Sequence, residues 1–541
     1  MRNGGVLRRN QGGLKPLAGW MGLRMLCGMR TLLFLWFGLG SLVAAESARL
    51  YTPAAFTDPD RLTRIQAVLP ELDRLYLEHA TNRHLPGFVF GVVVDGRLVH
   101  SLAWGRARLG PDQPVRLDTR FRIASMTKSF TALAILKLRD AGRLNLDDPV
   151  AKWIPEFRRV PPLTADSPTI TVRHLLKMAA GFPQDDPWGD RRLDDSAAEF
   201  SRLIAAGLTF SNPTGVKWEY SNLGYALLGR VVTKAARRPY QDYITRELLR
   251  PLGMTNTVWE FAAVPADLLA LGYRWNQEQW QPEPLLHDGE FGAMGGLITT
   301  LEDFTRYVAM HLAAWPPRDD AELAPVRRAT LREMHRPAEV LSVLTDNPAF
   351  AGQPNPRVAA YSYGLSWNAD AQGNIWVRHA GGLPGFGSEY RFLPDHGVAL
   401  IAFANLTYAP MTAINAQAMQ LLLENAQISA RVPQASPWLQ HRAEQMVAWI
   451  RNGDLATAKA AISSNVWLDR SETDRRAEIR ELLGHVGAIR EVTAVAPENQ
   501  LRGRFLLIGE RGRVEVYFTL MPEVEPKVQE LKLRLLPDGG R

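Results

Sequence analysis

Phe121-Arg122-Ile123-Ala124 leads directly into Ser125-Met126-Thr127-Lys128, and an apolar run then continues toward Gly142. The first four residues predict a short strand. The run predicts a helix over 125–140, followed by a glycine of the kind favoured just beyond helix C-termini. The serine would lie in the first helical turn, where backbone N–H groups are free, and the lysine would lie on the same face. This stretch therefore predicts a hydroxyl nucleophile beside an amine that burial can deprotonate.

A second motif is Tyr220-Ser221-Asn222, the only Tyr-x-Asn in the chain. It precedes a predicted helix over 223–236. A phenol beside a buried lysine is a candidate proton carrier, since a nearby cation lowers its pKa, and Asn222 offers an amide to a substrate. The alternative is a tyrosine that packs its ring and bonds its hydroxyl locally. Short motifs are weak individually, because about two Ser-x-x-Lys sequences are expected by chance in a chain of 541 residues.

A third motif is His379-Ala380-Gly381-Gly382. His-x-Gly also occurs at His287 and His485, but only His379 ends a predicted strand, over 375–377, and leads into glycines. Glycines let a backbone approach a ligand closely. A phosphate-binding loop is excluded, because the Lys-Ser/Thr ending and the following helix are missing.

In this order the three motifs resemble those of the serine β-lactamase and penicillin-binding protein superfamily. The resemblance is strongest to its class C-like branch, which includes class C β-lactamases, DD-peptidases, D-aminopeptidases and family VIII-type esterases. Three further stretches resemble that branch: 175–182, 252–254 and 295–300. The likeness covers roughly residues 70–425. It implies an α/β (α+β) fold, in which an antiparallel sheet is flanked by helices and accompanied by an all-helical part.

The resemblance also implies roles for individual residues. Ser125 would be the acylated nucleophile, and Lys128 and Tyr220 would carry the proton transfers. The backbone N–H groups of Ser125 and Gly382 would form the oxyanion hole. The positions implied to bind substrate are Asn222, His379 and Gly381. Neither a metal nor a cofactor is expected.

The third motif departs from the β-lactamase pattern, since neither Lys-Thr-Gly nor Lys-Ser-Gly occurs in the chain. His379 replaces the cation, and Ala380 removes a hydroxyl that helps to bind a β-lactam carboxylate. A histidine is mostly neutral at pH 7. We therefore expect a hydrolase of esters or of D-amino-acid-containing peptides or amides. The alternatives are a true β-lactamase and a non-catalytic receptor for penicillins or cell-wall ligands.

Two other hydrolase classes are excluded by motif. Gly-x-Ser-x-Gly and His-Glu-x-x-His are both missing from the sequence, which excludes the usual esterase nucleophile elbow and the zinc-protease helix. The substrates expected are a small-molecule ester, a peptide or a cell-wall fragment.

The net charge of +7 does not indicate nucleic-acid binding. Six of the 63 basic residues lie in positions 1–45, which hold no acidic residue, so 57 basic and 56 acidic residues remain. The basic start, the apolar stretch 31–43 and the small residues Ala44-Ala45 predict a signal peptide over 1–45 and a periplasmic or secreted protein without stable membrane insertion. An uncleaved anchor is the alternative. The only cysteine, Cys27, lies in this segment, so the mature protein would have no thiol.

Two domains are predicted after the signal peptide. The first, 46–430, would be the hydrolase domain, with a hairpin at Asp95-Gly96 and more strands near 375–403 that complete one sheet. Its segment 160–215, rich in Pro, Asp and Gly, predicts loops. The second, 431–541, would be a small α+β accessory domain with one helix over 439–462 and a hairpin over 504–518.

Overall fold

The computed structural model describes residues 51–110, 112–344 and 357–537. Contacts divide the chain into a larger unit, Thr52–Gln434, and a smaller unit that contains the residues from Ala435 onward. The predicted signal peptide and Cys27 lie outside the described residues. Within these three ranges, no helix is both long and apolar enough to cross a membrane.

The strands of the larger unit form one large sheet and two small ones. In chain order they are β1 (Gly87–Val94), β2 (Arg97–Arg108), β3 (Gln113–Pro114), β4 (Phe121–Arg122), β5 (Tyr273–Asn276), β6 (Gln279–Pro282), β7 (Ile298–Thr299), β8 (Glu339–Leu344), β9 (Arg357–Tyr361), β10 (Ser366–Asp370), β11 (Ile375–Leu383), β12 (Phe386–Leu393) and β13 (Val398–Ala404). The nine-stranded antiparallel sheet has the order β3-β2-β1-β13-β12-β11-β10-β9-β8. β4 pairs with β7, and β5 pairs with β6.

The centre of the large sheet joins the two ends of the larger unit. β1 pairs with β13 from Phe88 opposite Ala404 to Val94 opposite Val398. Both strands are buried at every position, as expected for apolar runs covered on both faces. β2 turns back from β1 at Asp95-Gly96, where both residues have positive φ, 50° and 80°. The predicted hairpin and the predicted sheet built from distant segments are confirmed.

The helices of the larger unit lie on both faces of this sheet. In chain order they are α1 (Arg61–Asn82), α2 (Thr127–Asp140), α3 (Val150–Trp153), α4 (Val172–Leu176), α5 (Ala197–Ala205), α6 (Asn222–Ala236), α7 (Tyr240–Ile244), α8 (Gly292–Gly295), α9 (Leu301–Leu312), α10 (Arg328–Met334) and α11 (Met411–Glu424). Short 3₁₀ turns lie at Ala124–Met126, Pro155–Arg159, Gly189–Arg191 and Phe261–Ala263, and a π turn lies at Thr245–Leu249.

Alternate residues of β1 enter different apolar clusters. Phe88 and Phe90 pack in a cluster with α1 and α11. Val89 and Val93 pack on the other side, in a cluster that includes α2, α6 and α9. This is the period of two expected of a strand between two layers. The architecture is the mixed α/β (α+β) arrangement that the sequence predicts.

Segment 160–215 is not only loop, which corrects one prediction. It contains α4 and α5, and each begins with a capping box. Thr171 caps α4 together with His174, and Ser196 caps α5 together with Glu199. Each pair satisfies backbone N–H groups that a helix end leaves free. The Ser-x-x-Glu spacing at 196–199 was a usable indication of α5 within a stretch otherwise rich in loop formers.

The smaller unit combines helices with a second sheet. Its elements are α12 (Pro437–Asn452), α13 (Leu455–Ala461), α14 (Ser464–Asp469), α15 (Glu472–Val486), β14 (Ile489–Val492), β15 (Ala496–Asn499), β16 (Arg502–Gly509), β17 (Arg513–Leu520) and β18 (Val528–Leu536). The sheet order is β14-β16-β17-β18, and β15 also pairs with β16. The predicted hairpin is confirmed as β16 and β17.

The prediction of one continuous helix over 439–462 is wrong. α12 ends at Gly453, which adopts a left-handed conformation with φ of 71°. α13 then begins anew, because the Asp454 side chain accepts the backbone N–H of Thr457 at 3.1 Å.

Candidate active site

The Ser125 side chain lies in a tight turn between β4 and α2. The serine belongs to the 3₁₀ turn Ala124–Met126 and is 6 % exposed. Ala124 has a positive φ of 51°, a conformation that costs a non-glycine residue free energy and often occurs at functional sites. The turn therefore presents the Ser125 hydroxyl at the start of a buried helix, as the sequence predicts.

The amine of Lys128 is fully buried and has three hydrogen-bond partners. Its Nζ lies 3.0 Å from Ser125 Oγ, 2.7 Å from Asn222 Oδ1 and 3.0 Å from the carbonyl oxygen of Met294, whose Sδ is also 3.7 Å away. The amide and carbonyl oxygens can only accept hydrogen bonds, whereas a hydroxyl can also donate. A neutral amine would therefore give its two hydrogens to Asn222 and Met294. Its lone pair would face Ser125.

Burial lowers the pKa of Lys128 to about 8, and the negative charges of Asp186, Asp190 and Asp185 partly oppose that shift. At pH 7 roughly one lysine in ten would be neutral. The neutral fraction rises with pH through 8. The amine can therefore accept a proton from Ser125 under ordinary conditions.

Tyr220 lies beside this pair. Its ring centroid is 4.9 Å from Lys128 Nζ. Burial, with a further contribution from Asp186, raises the pKa of Tyr220 well above its usual value. The expectation that the nearby cation lowers this pKa is wrong, because desolvation and the nearby carboxylates raise it. The phenol is protonated at neutral pH and can donate a hydrogen bond.

Asn222 opens α6 and is fully buried. Its oxygen accepts from Lys128, and its Nδ2 lies 2.6 Å from Asp186 Oδ1 and 3.3 Å from Asp190 Oδ1. The amide is thus engaged at both ends by protein groups. Substrate binding by Asn222 stays a prediction.

Asp185, Asp186 and Asp190 were not singled out from the sequence. They lie in the segment Asp185-Asp186-Pro187-Trp188-Gly189-Asp190, where three acids in six residues were the available indication. Asp185 accepts the backbone N–H groups of Asn222 and Leu223 at 2.6 and 2.7 Å. A carboxylate at that place also complements the positive end of the helix dipole.

His379 is buried and uncharged. Its Nδ1 lies 2.6 Å from the Ala380 carbonyl oxygen, so Nδ1 carries the proton, and Nε2 then accepts from the Tyr361 hydroxyl at 3.3 Å. Burial, followed by the charge of Lys128, lowers the pKa of His379 to about 3. The position offers no cation at neutral pH. Its role in substrate binding stays a prediction.

The strand that carries His379 does not end there, contrary to expectation. β11 continues through the glycines to Leu383, because β12 pairs with it as far as Leu383 opposite Phe386. Gly381 packs directly against the turn that contains Ser125, where a Cβ atom would overlap the Ile123 carbonyl oxygen. Ser388 of β12 donates to the same oxygen at 2.8 Å. These contacts fix the end of β11 against the turn that holds Ser125.

Gly382 lies beneath the ring of Tyr408, since a Cβ atom at 382 would approach Tyr408 Cδ1 to 2.6 Å. Tyr408 is 42 % exposed and has a positive φ of 51°. Its hydroxyl donates to Asp190 Oδ2 at 2.8 Å. Tyr408 belongs to none of the three motifs, so the sequence did not indicate it. An oxyanion-hole role for the Gly382 N–H stays a prediction.

The family model described as Beta-lactamase matches residues 72–424, well over half of the chain. The chain belongs to the β-lactamase family. The curated relatives include Protein flp of Staphylococcus aureus strain N315, 28% identical over 352 residues, which are 63% of this chain and 64% of that protein. Another is Beta-lactamase-like protein 2 of Dictyostelium discoideum, 28% identical over 367 residues, 66% of this chain and 63% of that protein. The chain spans less than two thirds of these relatives' length.

Solved structures support the same fold. The octameric penicillin-binding protein homologue from Pyrococcus abyssi aligns with a TM-score of 0.55 and 20% identity, over 86% of this chain and 99% of that one. A class C β-lactamase aligns with a TM-score of 0.52 and 21% identity, over 68% of this chain and 98% of that one. At these identities the likeness establishes the fold alone.

Members of the β-lactamase family are generally serine hydrolases, and this chain places the Lys128 amine within hydrogen-bonding distance of Ser125 and Asn222 and near the ring of Tyr220. Across the residues that the structure describes, no group of three or more His, Cys, Asp or Glu side chains is arranged to hold a metal ion.

Proposed function

We propose that this protein is a secreted serine hydrolase that forms an acyl-enzyme on Ser125. Its substrate would be an ester or a D-amino-acid-containing peptide or amide. The observation that carries the proposal is the buried Lys128 amine, 3.0 Å from Ser125 Oγ, whose other contacts, with Asn222 Oδ1 and with the carbonyl oxygen and Sδ of Met294, are all to atoms that only accept. A general base positioned in this way is what a serine needs to become nucleophilic.

In the proposed acylation, Lys128 takes the proton of Ser125 as Oγ bonds to the substrate carbonyl carbon. The carbonyl electron pair moves to its oxygen, which accepts the N–H groups of Ser125 and Gly382. The carbonyl double bond then re-forms and the carbon expels the alcohol or amine, which receives the serine proton from Lys128 directly, or from Tyr220 as Lys128 returns a proton to that phenol. Water repeats the sequence on the acyl-enzyme and releases the acid and the free serine. Each positioned proton transfer contributes typically about 10²–10⁴-fold.

The third motif favours esters and D-amino amides over β-lactams. The neutral imidazole of His379 supplies no fixed charge for a substrate carboxylate, and Ala380 supplies no hydroxyl. A penicillin, whose carboxylate needs such partners, would lose binding in the transition state. His379 and Ala380 affect the choice of substrate only, and the proposed acyl transfer at Ser125 is the same for each substrate.

The test is a comparison of wild-type protein with Ser125→Ala. A fluorophosphonate probe should label the wild type at Ser125 and should leave the variant unlabelled. In a panel of chromogenic esters, D-amino-acid amides and benzylpenicillin, the esters or the amides should be hydrolysed faster than benzylpenicillin. Faster cleavage of penicillin than of every ester and amide would make the protein a β-lactamase. Stable penicillin labelling without turnover would favour a receptor.

Export is proposed from residues 1–45 and has a separate test. Expression in a bacterial host should give a periplasmic protein whose intact mass corresponds to a start near Glu46. A full-length mass in the membrane fraction would mean that the segment is an uncleaved anchor.

A further inference from the structure

The amide of Asn222 can adopt only one of its two orientations. With Oδ1 toward Lys128, both Nδ2 hydrogens point at carboxylate oxygens, of Asp186 at 2.6 Å and of Asp190 at 3.3 Å. A flipped amide would set its NH₂ group against the Lys128 amine and its oxygen against two carboxylates. Both contacts would then be repulsive, so the carboxylates determine which atom meets the lysine.

We propose that Asp186 and Asp190 are positioning residues for the Ser125 reaction: acting through Asn222, they direct the Lys128 lone pair at the serine, and their negative charge acts on the same amine. This inference rests on the proposed function. Neither carboxylate contacts Ser125 in the structure's hydrogen bonds, so their effect on the serine is indirect.

Asp190 also connects two walls of the site. One oxygen accepts from Asn222, and the other accepts from the hydroxyl of Tyr408, whose ring covers Gly382. The carboxylate is 1 % exposed. Two hydrogen bonds therefore fix the position of this carboxylate, one from Asn222 beside the lysine and one from Tyr408, which covers Gly382 of β11.

Because the aspartates carry negative charge, the proposal predicts how the activity should depend on pH. The titratable groups that face Lys128 are Tyr220, Tyr225, His379, Asp185, Asp186 and Asp190. Burial raises the pKa of both tyrosines and lowers that of His379 to about 3, so these three stay uncharged between pH 5 and 9. Burial also raises the pKa of Asp190 to about 6. The aspartates are thus the groups that oppose deprotonation of the lysine.

The experiment compares Asp186→Asn and Asp186→Ala with wild type in kcat against pH on one chromogenic ester. Asp186→Asn removes the charge but leaves an oxygen for the Asn222 amide. We expect the acidic limb of its profile to move to lower pH by about 0.5 or more, with an alkaline plateau within about threefold of wild type. Asp186→Ala should move the limb similarly and lower the plateau about tenfold, with little change in KM.

The matched control is Asp194→Asn. Asp194 is exposed and lies in the same segment, four residues beyond Asp190. Its profile should coincide with that of wild type. An acidic limb for Asp186→Asn that also coincides with wild type would overturn the proposal, whatever happens to Asp186→Ala.

Failure of the positioning role and failure of the proposed function give different results. If the fluorophosphonate probe does not label Ser125 in the wild type, the acyl-enzyme proposal fails. If Ser125 is labelled and active but the limb of Asp186→Asn does not move, only the positioning role fails. The Asp186→Asn side chain has the same shape and keeps an oxygen for the hydrogen bond from Asn222. The pH profile of this variant therefore tests the positioning role even if Asp186→Ala does not fold.

Discussion

Replacing the buried histidine pair His311 and His335 should reduce the loss of stability of the larger unit in mild acid. Trp315 Nε1 can only donate and lies 3.0 Å from His335 Nδ1, so the proton of His335 is on Nε2. That nitrogen lies 2.7 Å from His311 Nδ1, which must therefore accept. A second proton on either ring would set two donors against each other. The fold holds both rings neutral.

The size of this stability effect follows from the pKa values of the two histidines in the folded and unfolded states. Burial lowers the pKa of His311 to about 3 and that of His335 well below its usual value. Unfolded histidines bind protons near pH 6.5, so the unfolded state gains protons first as the pH falls. Stability is therefore unaffected above pH 6.5 and decreases below it. Between pH 7 and pH 5 each histidine should cost about 2 kcal/mol, and the pair about 4 kcal/mol.

The assay is urea unfolding at pH 7 and pH 5, followed by tryptophan fluorescence. The double variant His311→Leu with His335→Gln keeps an acceptor for Trp315 and removes both titrating rings. Its loss of unfolding free energy between the two pH values should be smaller than that of wild type by about 4 kcal/mol. The control is His287→Gln, since the His287 side chain is 66 % exposed. Equal losses for the double variant and wild type would refute the reasoning.

Three further predictions concern the site. Lys128→Ala and Tyr220→Phe should each lower kcat on an ester at least about a hundredfold, because each removes a positioned proton transfer. A decrease in kcat of less than about tenfold for either variant would contradict these roles. Gly381→Ala should lower both fluorophosphonate labelling and the melting temperature, because its Cβ would overlap the Ile123 carbonyl oxygen; unchanged labelling would show that the turn adapts. Replacing His379-Ala380 by Lys-Thr should raise penicillin cleavage relative to ester cleavage, each new contact contributing roughly 1–3 kcal/mol; an unchanged ratio would place substrate selection elsewhere.

Much of the fold could be predicted because the residues of each strand indicate a strand by themselves. The apolar runs of β1 and β13 and the Asp95-Gly96 turn indicate buried strands and a hairpin without reference to the rest of the chain. The predictions that failed depended on single positions within longer patterns. Gly453 interrupts a run that is otherwise helical, and the capping pair at 196–199 starts a helix in a segment with loop composition.

The candidate site was predictable only in part. Ser125 and Lys128 are one turn apart on a helix, so their contact follows from spacing alone. The contacts of Asp186 and Tyr408 depend on the path of loops that have no periodic pattern. The direction of the Tyr220 pKa shift was predicted wrongly for a related reason. The motifs indicate a lysine near the phenol, whereas the amount of burial, which decides the sign of the shift, is a property of the folded chain.

The pairing of β1 with β13 also affects how this protein is made. About 300 residues separate the two strands, and ribosomes add roughly 5–20 residues per second. The apolar β1–β2 hairpin would thus wait on the order of 15–60 s before its neighbour in the sheet has been synthesised. During that interval its β1 edge is an open template for other strands.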